Sequence, residues 1–143
     1  MSFEATEEEE LRQIESIESD AVKEPPVTVN ELELMCKGNE ELEEALGSML
    51  DYCYRYTITV AQFKRIALES EGTMTEALVE IDGLRRNVHN STIDAINIFS
   101  RLLAQNKKDN TWMEEVVGDR TRYTRFALTL ILEHMRRQHV LAK

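Results

Sequence analysis

Two groups of glutamates have a spacing that could bring carboxylates together. Residues 40–44 read EELEE, and a second acidic group opens a later segment. Side chains three or four positions apart lie on one face of a helix, and carboxylate oxygens are ligands that Mg²⁺ prefers. The candidate metal ligands are Glu40, Glu43, Glu44, Glu76 and Glu80.

Helical nucleotide pyrophosphohydrolases use carboxylates of this kind, holding Mg²⁺ with an ExxE pair and a second acidic pair. The chain resembles these enzymes at Glu40 and Glu43, but its second acidic segment, which begins at Glu76, lacks an ExxD pair. A Mg²⁺-dependent, all-α nucleotide pyrophosphohydrolase is therefore one alternative function. The competing interpretation is that acidic side chains in a first helical turn favour the helix dipole. On that interpretation the protein needs no cofactor.

Arginines near the C-terminus form a second candidate site. When residues 119–143 are placed on a helix, Arg122, Arg125 and Arg136 fall on one narrow polar stripe. Such a stripe can bind an acidic partner protein or a nucleic acid. The simpler alternative is that the acidic arm or the helix over 39–46, from the same chain or from a second copy, covers the stripe.

The charge of the chain is unevenly distributed. Residues 1–45 hold 15 Asp/Glu and 3 Lys/Arg, a net charge of −12, whereas residues 46–143 have a net charge of +2. The overall charge of −10 argues against broad affinity for nucleic acid or anionic membranes. Nucleic-acid binding through the C-terminal helix, gated by the acidic arm, is therefore a further alternative and not the leading function.

Two histidines are further candidates. His89 lies beside a polar ridge to which Arg86 belongs, and the two residues could line a polar groove or belong to a solvated face. His134 falls within the apolar arc of the last helix, either as a buried base or ligand or as a core histidine held by one hydrogen bond. We favour the solvated face for His89 and the hydrogen-bonded core histidine for His134.

The sequence carries no recognised catalytic motif. There is no glycine-rich phosphate loop, HExxH, GxSxG or zinc-type Cys/His spacing. Cys36 and Cys53 stand apart among apolar neighbours, which indicates buried thiols in a reducing compartment, with a disulfide as the alternative. The N-terminus lacks signal-peptide features, and the apolar stretch 126–132 is too short to span a bilayer. These features predict a cytoplasmic protein that does not act in a membrane.

Helix start and stop signals alternate along the chain and favour an all-α fold. Five glycines and two adjacent prolines cannot supply the many turns of a β-sandwich or barrel. Capping boxes of the form Thr-x-x-Glu begin at residues 6, 28, 73 and 111, and Asn39 and Asp119 suit helix caps. Helices are predicted over about 6–21, 28–38, 39–70, 73–106, 111–118 and 119–143. A disordered acidic tail is the alternative to the first of them.

The two long predicted helices each contain a point of conflict. Residues 52–60 have high β propensity, so the helix over 39–70 could be kinked near Thr57–Thr59 or give way to strands at 55–60. An unbroken helix over 73–106 would be about 50 Å long, which is more than expected for so small a protein. We therefore predict a kink or break near Gly83 or Asn90, with two helices roughly in line.

The segment over 73–106 also carries a long apolar seam. Its members alternate by four and three positions, which is the period of helices that pack side by side. The seam comprises Ala77, Ile81, Leu84, Val88, Ser91, Ala95, Ile98 and Leu102. Because helical proteins of this size often share apolar helix faces, we expect the seam to hold a homodimer together.

The sequence thus predicts an all-α protein, a compact bundle of five to six helices with the C-terminal helix at its centre. Residues 1–26 form an acidic arm and residues 27–143 a single domain. The leading function is that of a non-enzymatic cytosolic protein that acts by binding a protein, as a regulator, adaptor or immunity-type factor. The candidate partner-binding residues are Arg86, His89, Arg122, Arg125 and Arg136.

Overall fold

The computed structural model describes residues 7–15 and 25–141, and it confirms the all-α prediction. These residues form six α-helices and no strand. The helices are α1 (Glu7–Glu15), α2 (Val29–Cys36), α3 (Glu40–Glu69), α4 (Glu76–Gln105), α5 (Met113–Val116) and α6 (Arg120–Leu141). Of the helix predicted over 6–21, residues 7–15 are helical, and the other positions lie outside the described residues. Within the described residues, no helix is long and apolar enough to cross a membrane.

Short polar side chains begin three helices where the sequence predicted caps. Thr28, Asn39 and Asp119 each accept a hydrogen bond from the backbone amide three positions later, at 3.0–3.1 Å. Each bond satisfies an amide that has no partner inside its own helix. The starts of α2, α3 and α6 are therefore fixed by local chemistry.

Two other predicted capping boxes were wrong. Helix α4 is capped by Thr75, whose hydroxyl accepts the amide of Leu78 at 3.1 Å, and not by Thr73. The hydroxyl of Thr111 donates to Asp109 at 2.7 Å, so no side chain caps α5. Thr75 takes the role that the spacing assigned to Thr73, whereas Thr111 hydrogen-bonds with Asp109 and not with the backbone of α5.

Helices α3 and α4 are each continuous. Residues 55–60 are helical, so the strand alternative was wrong, and the hydroxyls of Thr57 and Thr59 donate back to carbonyls of their own helix at 2.8 and 2.7 Å. Helix α4 passes through Gly83 and Asn90, so the predicted break into two helices was wrong. The physical reason is tertiary support, because α3 packs beside α4 and outweighs the weak helix propensity of a single glycine.

The shared core lies between α3, the last part of α4, α6 and the shorter helices. Helix α6 packs against α1, α2, α3 and α5, while α3 packs against α1, α2, α4 and α6. The central position predicted for α6 is therefore shared with α3. The apolar arc predicted for α6 is half-buried at Tyr123 and buried at its other members, Phe126, Ala127, Leu128, Leu130, Ile131, Leu132 and Met135.

The hairpin of α3 and α4 extends beyond this core. The buried core members of α3 end at Ala61, and those of α4 begin at Ala95. Leu78 and Ile81 are buried as well, but they are not part of the shared core. The far part of the hairpin, residues 62–87, is therefore held mainly by contacts between its own two helices, and we call it the projecting hairpin.

Candidate protein-binding surface

The fold divides the predicted apolar seam of α4 into two rows. The inner row is buried or half-buried and consists of Ile81, Val88, Ala95 and Leu102. The outer row has one residue every seven positions and consists of Ala77, Leu84, Ser91 and Ile98. Leu84 and Ile98 are 49% and 48% exposed. Ala77 is also exposed and Ser91 is partly exposed, so an apolar row runs uncovered along α4.

Contacts with α3 set this orientation of α4. The Thr92 hydroxyl donates to the carbonyl of Tyr52 at 3.1 Å, and the Arg85 guanidinium lies 5.2 Å from the centre of the Phe63 ring. Residues 85 and 92 therefore mark the side of α4 that faces α3. Leu84 and Ser91 each precede one of them by a single position, which turns the outer row away by about 100°.

A row of polar and charged residues borders the outer row. Glu80, Asn87, Asp94 and Arg101 each lie three positions after a member of the outer row, and all four are exposed. We call them the flanking row. The flanking row is acidic towards the start of α4 and basic towards its end.

Arg86, a candidate partner-binding residue, is engaged within its own helix. Its guanidinium lies 3.3 Å from Asp82, which also accepts a hydrogen bond from Arg85 at 2.6 Å. The Arg85 hydrogen bond, together with the charges of both arginines, lowers the pKa of the Asp82 carboxyl. This environment is that of an ordinary charged helix face.

His89 lies neither on a solvated face nor in a polar groove, which corrects the expectation for this residue. It is 8% exposed, and its ring lies 5.1 Å from that of Tyr56 and 6.4 Å from that of Tyr123. Its Nδ1 atom is buried and has no hydrogen-bond partner among the described residues. Burial, and then the charge of Arg85, lower the pKa of the ring. His89 therefore belongs to the contact between α3, α4 and α6.

His134 is more exposed than the sequence predicted. Its position in the sequence placed it in the apolar arc of α6, but it is only half-buried and hydrogen-bonds with the side chain of Gln138, at 3.1 Å. With Glu10 and Tyr54, whose side chains hydrogen-bond to each other, it lines an open cleft between α1, α3 and α6. Leu132 and Met135 beside it are buried, so His134 lies at the edge of the apolar arc and not within it.

Carboxylates of the same chain meet the basic end of α6. Arg136 lies 3.5 Å from Glu15 of α1. Arg137 donates two hydrogen bonds to Glu33 of α2, at 3.1 and 3.2 Å. The hydrogen bond to Glu33 raises the pKa of Arg137. The Arg136–Glu15 contact is of the kind that the intramolecular alternative predicted for the arginine stripe, whereas Glu33 lies outside both segments that were expected to cover it.

Arg122 and Arg125 line an open cleft of about 400 Å³ at the start of α6. Glu114 and Glu115 line the same cleft, so its wall carries both signs of charge. Arg122 also donates to the carbonyl of Val117 at 3.1 Å, which closes the turn before α6. The two arginines are exposed but do not form a purely basic surface.

The structure does not bring the candidate metal ligands together. Asn39 donates to Asn106 at 3.1 Å, so the start of α3 lies beside the end of α4. Because α4 has 30 residues, its own start lies about 45 Å away. The described residues contain no group of three or more His, Cys, Asp or Glu placed to hold a metal ion. The set predicted from spacing is thereby split between opposite ends of the hairpin: Glu40, Glu43 and Glu44 at one, Glu76 and Glu80 at the other.

No protein-family model matches this chain, and no curated protein or solved structure matches it. The function must therefore be argued from the chain's own geometry and chemistry.

Proposed function

We propose that this protein acts by binding protein rather than by catalysis, and that the outer row of α4 is its binding surface. The surface serves self-association, with a second copy of the chain covering the row. The observation that supports this proposal is the exposure of Leu84 and Ile98 on a row that keeps one register for three heptads. Isolated exposed apolar residues are common, but an aligned row is typical of a helix that packs against another helix.

The shape of the surface also fits a helical partner. The outer row from Ala77 to Ile98 is about 31 Å long at 1.5 Å per residue. Residues seven positions apart drift by only about 20° around a straight helix, so a slight supercoil keeps them in one line. A single pair of helices buries less area than a large obligate interface. We therefore expect reversible association that depends on protein concentration.

The alternatives receive less support. For nucleic-acid binding through α6, Arg136 and Arg137 would have to leave Glu15 and Glu33. For Mg²⁺-dependent hydrolysis, carboxylates at opposite ends of a hairpin of two 30-residue helices would have to converge on one ion. Neither alternative is favoured by a specific observation, whereas the uncovered row favours helix packing.

We also propose that the protein works in the cytoplasm. Cys36 and Cys53 are both buried and both free. Burial raises the pKa of the Cys53 thiol to about 12, so this thiol stays protonated and unreactive while the protein is folded. Buried free thiols are compatible with a reducing compartment.

The proposal is tested by measuring the mass of the protein in solution over a range of concentrations. Sedimentation equilibrium between about 10 μM and 1 mM should show a monomer–dimer equilibrium in the wild type. Leu84→Glu should weaken association by about tenfold or more, because it places a charge in the outer row, which the dimer buries.

The matched control is Leu34→Glu, because Leu34 of α2 is 71% exposed and lies away from α4. This variant should associate like the wild type. A wild-type protein that stays monomeric throughout the range, or a loss of association in the control alone, would contradict the proposed surface.

A further inference from the structure

We infer that two copies associate through antiparallel α4 helices, related by a two-fold axis that passes near Ser91. This inference rests on the proposed function and adds the partner's orientation and register. It is drawn from the order of residues along the outer and flanking rows of α4.

The outer row is symmetric about Ser91. Leu84 and Ile98 lie seven positions before and after it. In an antiparallel pair centred there, Leu84 meets Ile98 of the second copy at each end, and the two Ser91 side chains meet at the axis. The small Ser91 side chain lets the two helix backbones approach closely at the crossing point.

The flanking row decides between antiparallel and parallel packing. When Ser91 meets Ser91 in antiparallel order, Glu80 faces Arg101 of the second copy and Asn87 faces Asp94 of the second copy. Each of these pairs occurs twice, so the interface has four complementary pairs. In a parallel dimer of the same register, the two-fold axis runs along the helices and places the two flanking rows on opposite sides of the interface, so none of these pairs forms. Charge complementarity therefore selects the antiparallel arrangement.

The ends of the hairpin continue the same complementarity. At the start of α4, Glu76 lies opposite the turn that follows α4 in the second copy, where Lys107 and Lys108 are exposed. The projecting hairpin of each copy would thus lie along the body of the other. This arrangement gives the projecting hairpin a covered face without any change in the fold.

Charge reversal tests the orientation. Glu80→Arg alone and Arg101→Glu alone should each weaken dimerisation by about threefold to tenfold, because each creates two like-charge pairs in the antiparallel dimer. The double variant Glu80→Arg/Arg101→Glu restores opposite charges and should recover the wild-type dissociation constant. In a parallel dimer neither single change should weaken association, because the flanking rows of the two copies would lie on opposite sides of the interface.

Cysteine crosslinking provides a second, independent measurement. Ser91→Cys should form a crosslinked dimer under mild oxidation. Leu84→Cys and Ile98→Cys should not crosslink efficiently when each is alone, but a mixture of the two should give the heterodimer. The buried Cys36 and Cys53 keep the background of the wild-type control low.

The two levels of the proposal fail differently. A wild type that remains monomeric overturns self-association itself. If Leu84→Glu loses association, the outer row is the binding surface. If Leu84→Cys alone also crosslinks efficiently, or the double charge variant shows no recovery, the two copies do not pack in the antiparallel arrangement. Circular dichroism of each variant separates loss of association from loss of folding.

Discussion

The burial of His89 makes the stability of the fold depend on pH. The pKa of the folded-state ring lies below 6.5, first because burial disfavours the charged form and then because Arg85 is nearby. The unfolded chain therefore binds a proton at a pH at which the folded chain does not. The free energy of unfolding is fully maintained above pH 6.5 and falls as the pH drops from 6.5 towards the folded-state pKa, by at most about 1.4 kcal/mol per pH unit.

His89→Gln should remove this part of the pH dependence, because the amide does not titrate. The measurement is urea unfolding at several pH values between about 8 and 5, at a low protein concentration that keeps the chain monomeric. His134→Gln is the matched control for the substitution itself, since it makes the same change at a half-buried ring. Equal slopes in the wild type and His89→Gln would contradict the burial of a neutral ring at this position.

The two histidines also show where residue-scale inference from sequence reaches its limit. The polar neighbours Asn87 and Asn90 pointed His89 towards solvent, whereas Thr92 and Ile96, three and seven positions later, are buried beside it on the same face of α4. The sequence pattern of α4 contains both the polar face and the apolar face that border His89. Only the packing of α3 against α4 decides which of them is covered.

Helix boundaries were the most predictable feature at the scale of elements, because capping is local chemistry. Thr28, Asn39 and Asp119 needed only the amide three positions away. The continuity of α4 through Gly83 was not predictable in the same way. Its support comes from α3, which is distant in sequence at most points of contact.

Replacement of two helical glycines should stabilise the long helices. A methyl group at Gly47 of α3 or Gly83 of α4 would meet no atom within 4 Å. Gly47→Ala and Gly83→Ala should therefore each raise the free energy of unfolding by about 0.5–1 kcal/mol, since alanine has lower backbone entropy in the unfolded chain and higher helix propensity. Thermal and urea unfolding of each variant give the measurement.

Gly38→Ala is the contrasting control. Gly38 has a φ of +84° after α2, a backbone conformation that costs an alanine about 1–2 kcal/mol. This variant should be destabilised although the site is equally open. A destabilised Gly83→Ala would indicate that α4 is not regularly helical at that position.

At the scale of the whole molecule, the sequence predicted the separation of charge along the chain but did not predict the individual ion pairs. Arg136 meets Glu15 and Arg137 meets Glu33, which joins the acidic N-terminal region to the basic end of α6. Glu133 of α6 accepts a hydrogen bond from the backbone amide of Val29, at the start of α2, at 3.0 Å. Such long-range pairs depend on how α1, α2 and α6 assemble, and no local pattern encodes that assembly.

The position of the projecting hairpin outside the shared core predicts two levels of stability within one chain. Core segments of α3 and α4, within residues 49–61 and 95–103, belong to the shared core, whereas residues 62–87 rely mainly on each other. Local opening should therefore require less free energy in the projecting hairpin than in the core. Hydrogen exchange followed by mass spectrometry should show the hairpin amides exchanging faster than the core amides.

Self-association adds a concentration dependence, because covering the outer row slows exchange in 77–98 as protein concentration rises. The α2 segment around Leu34 serves as an internal control and should not respond. Uniform protection of α4, or a concentration response in α2 alone, would show that the core and the binding surface are arranged differently from this account.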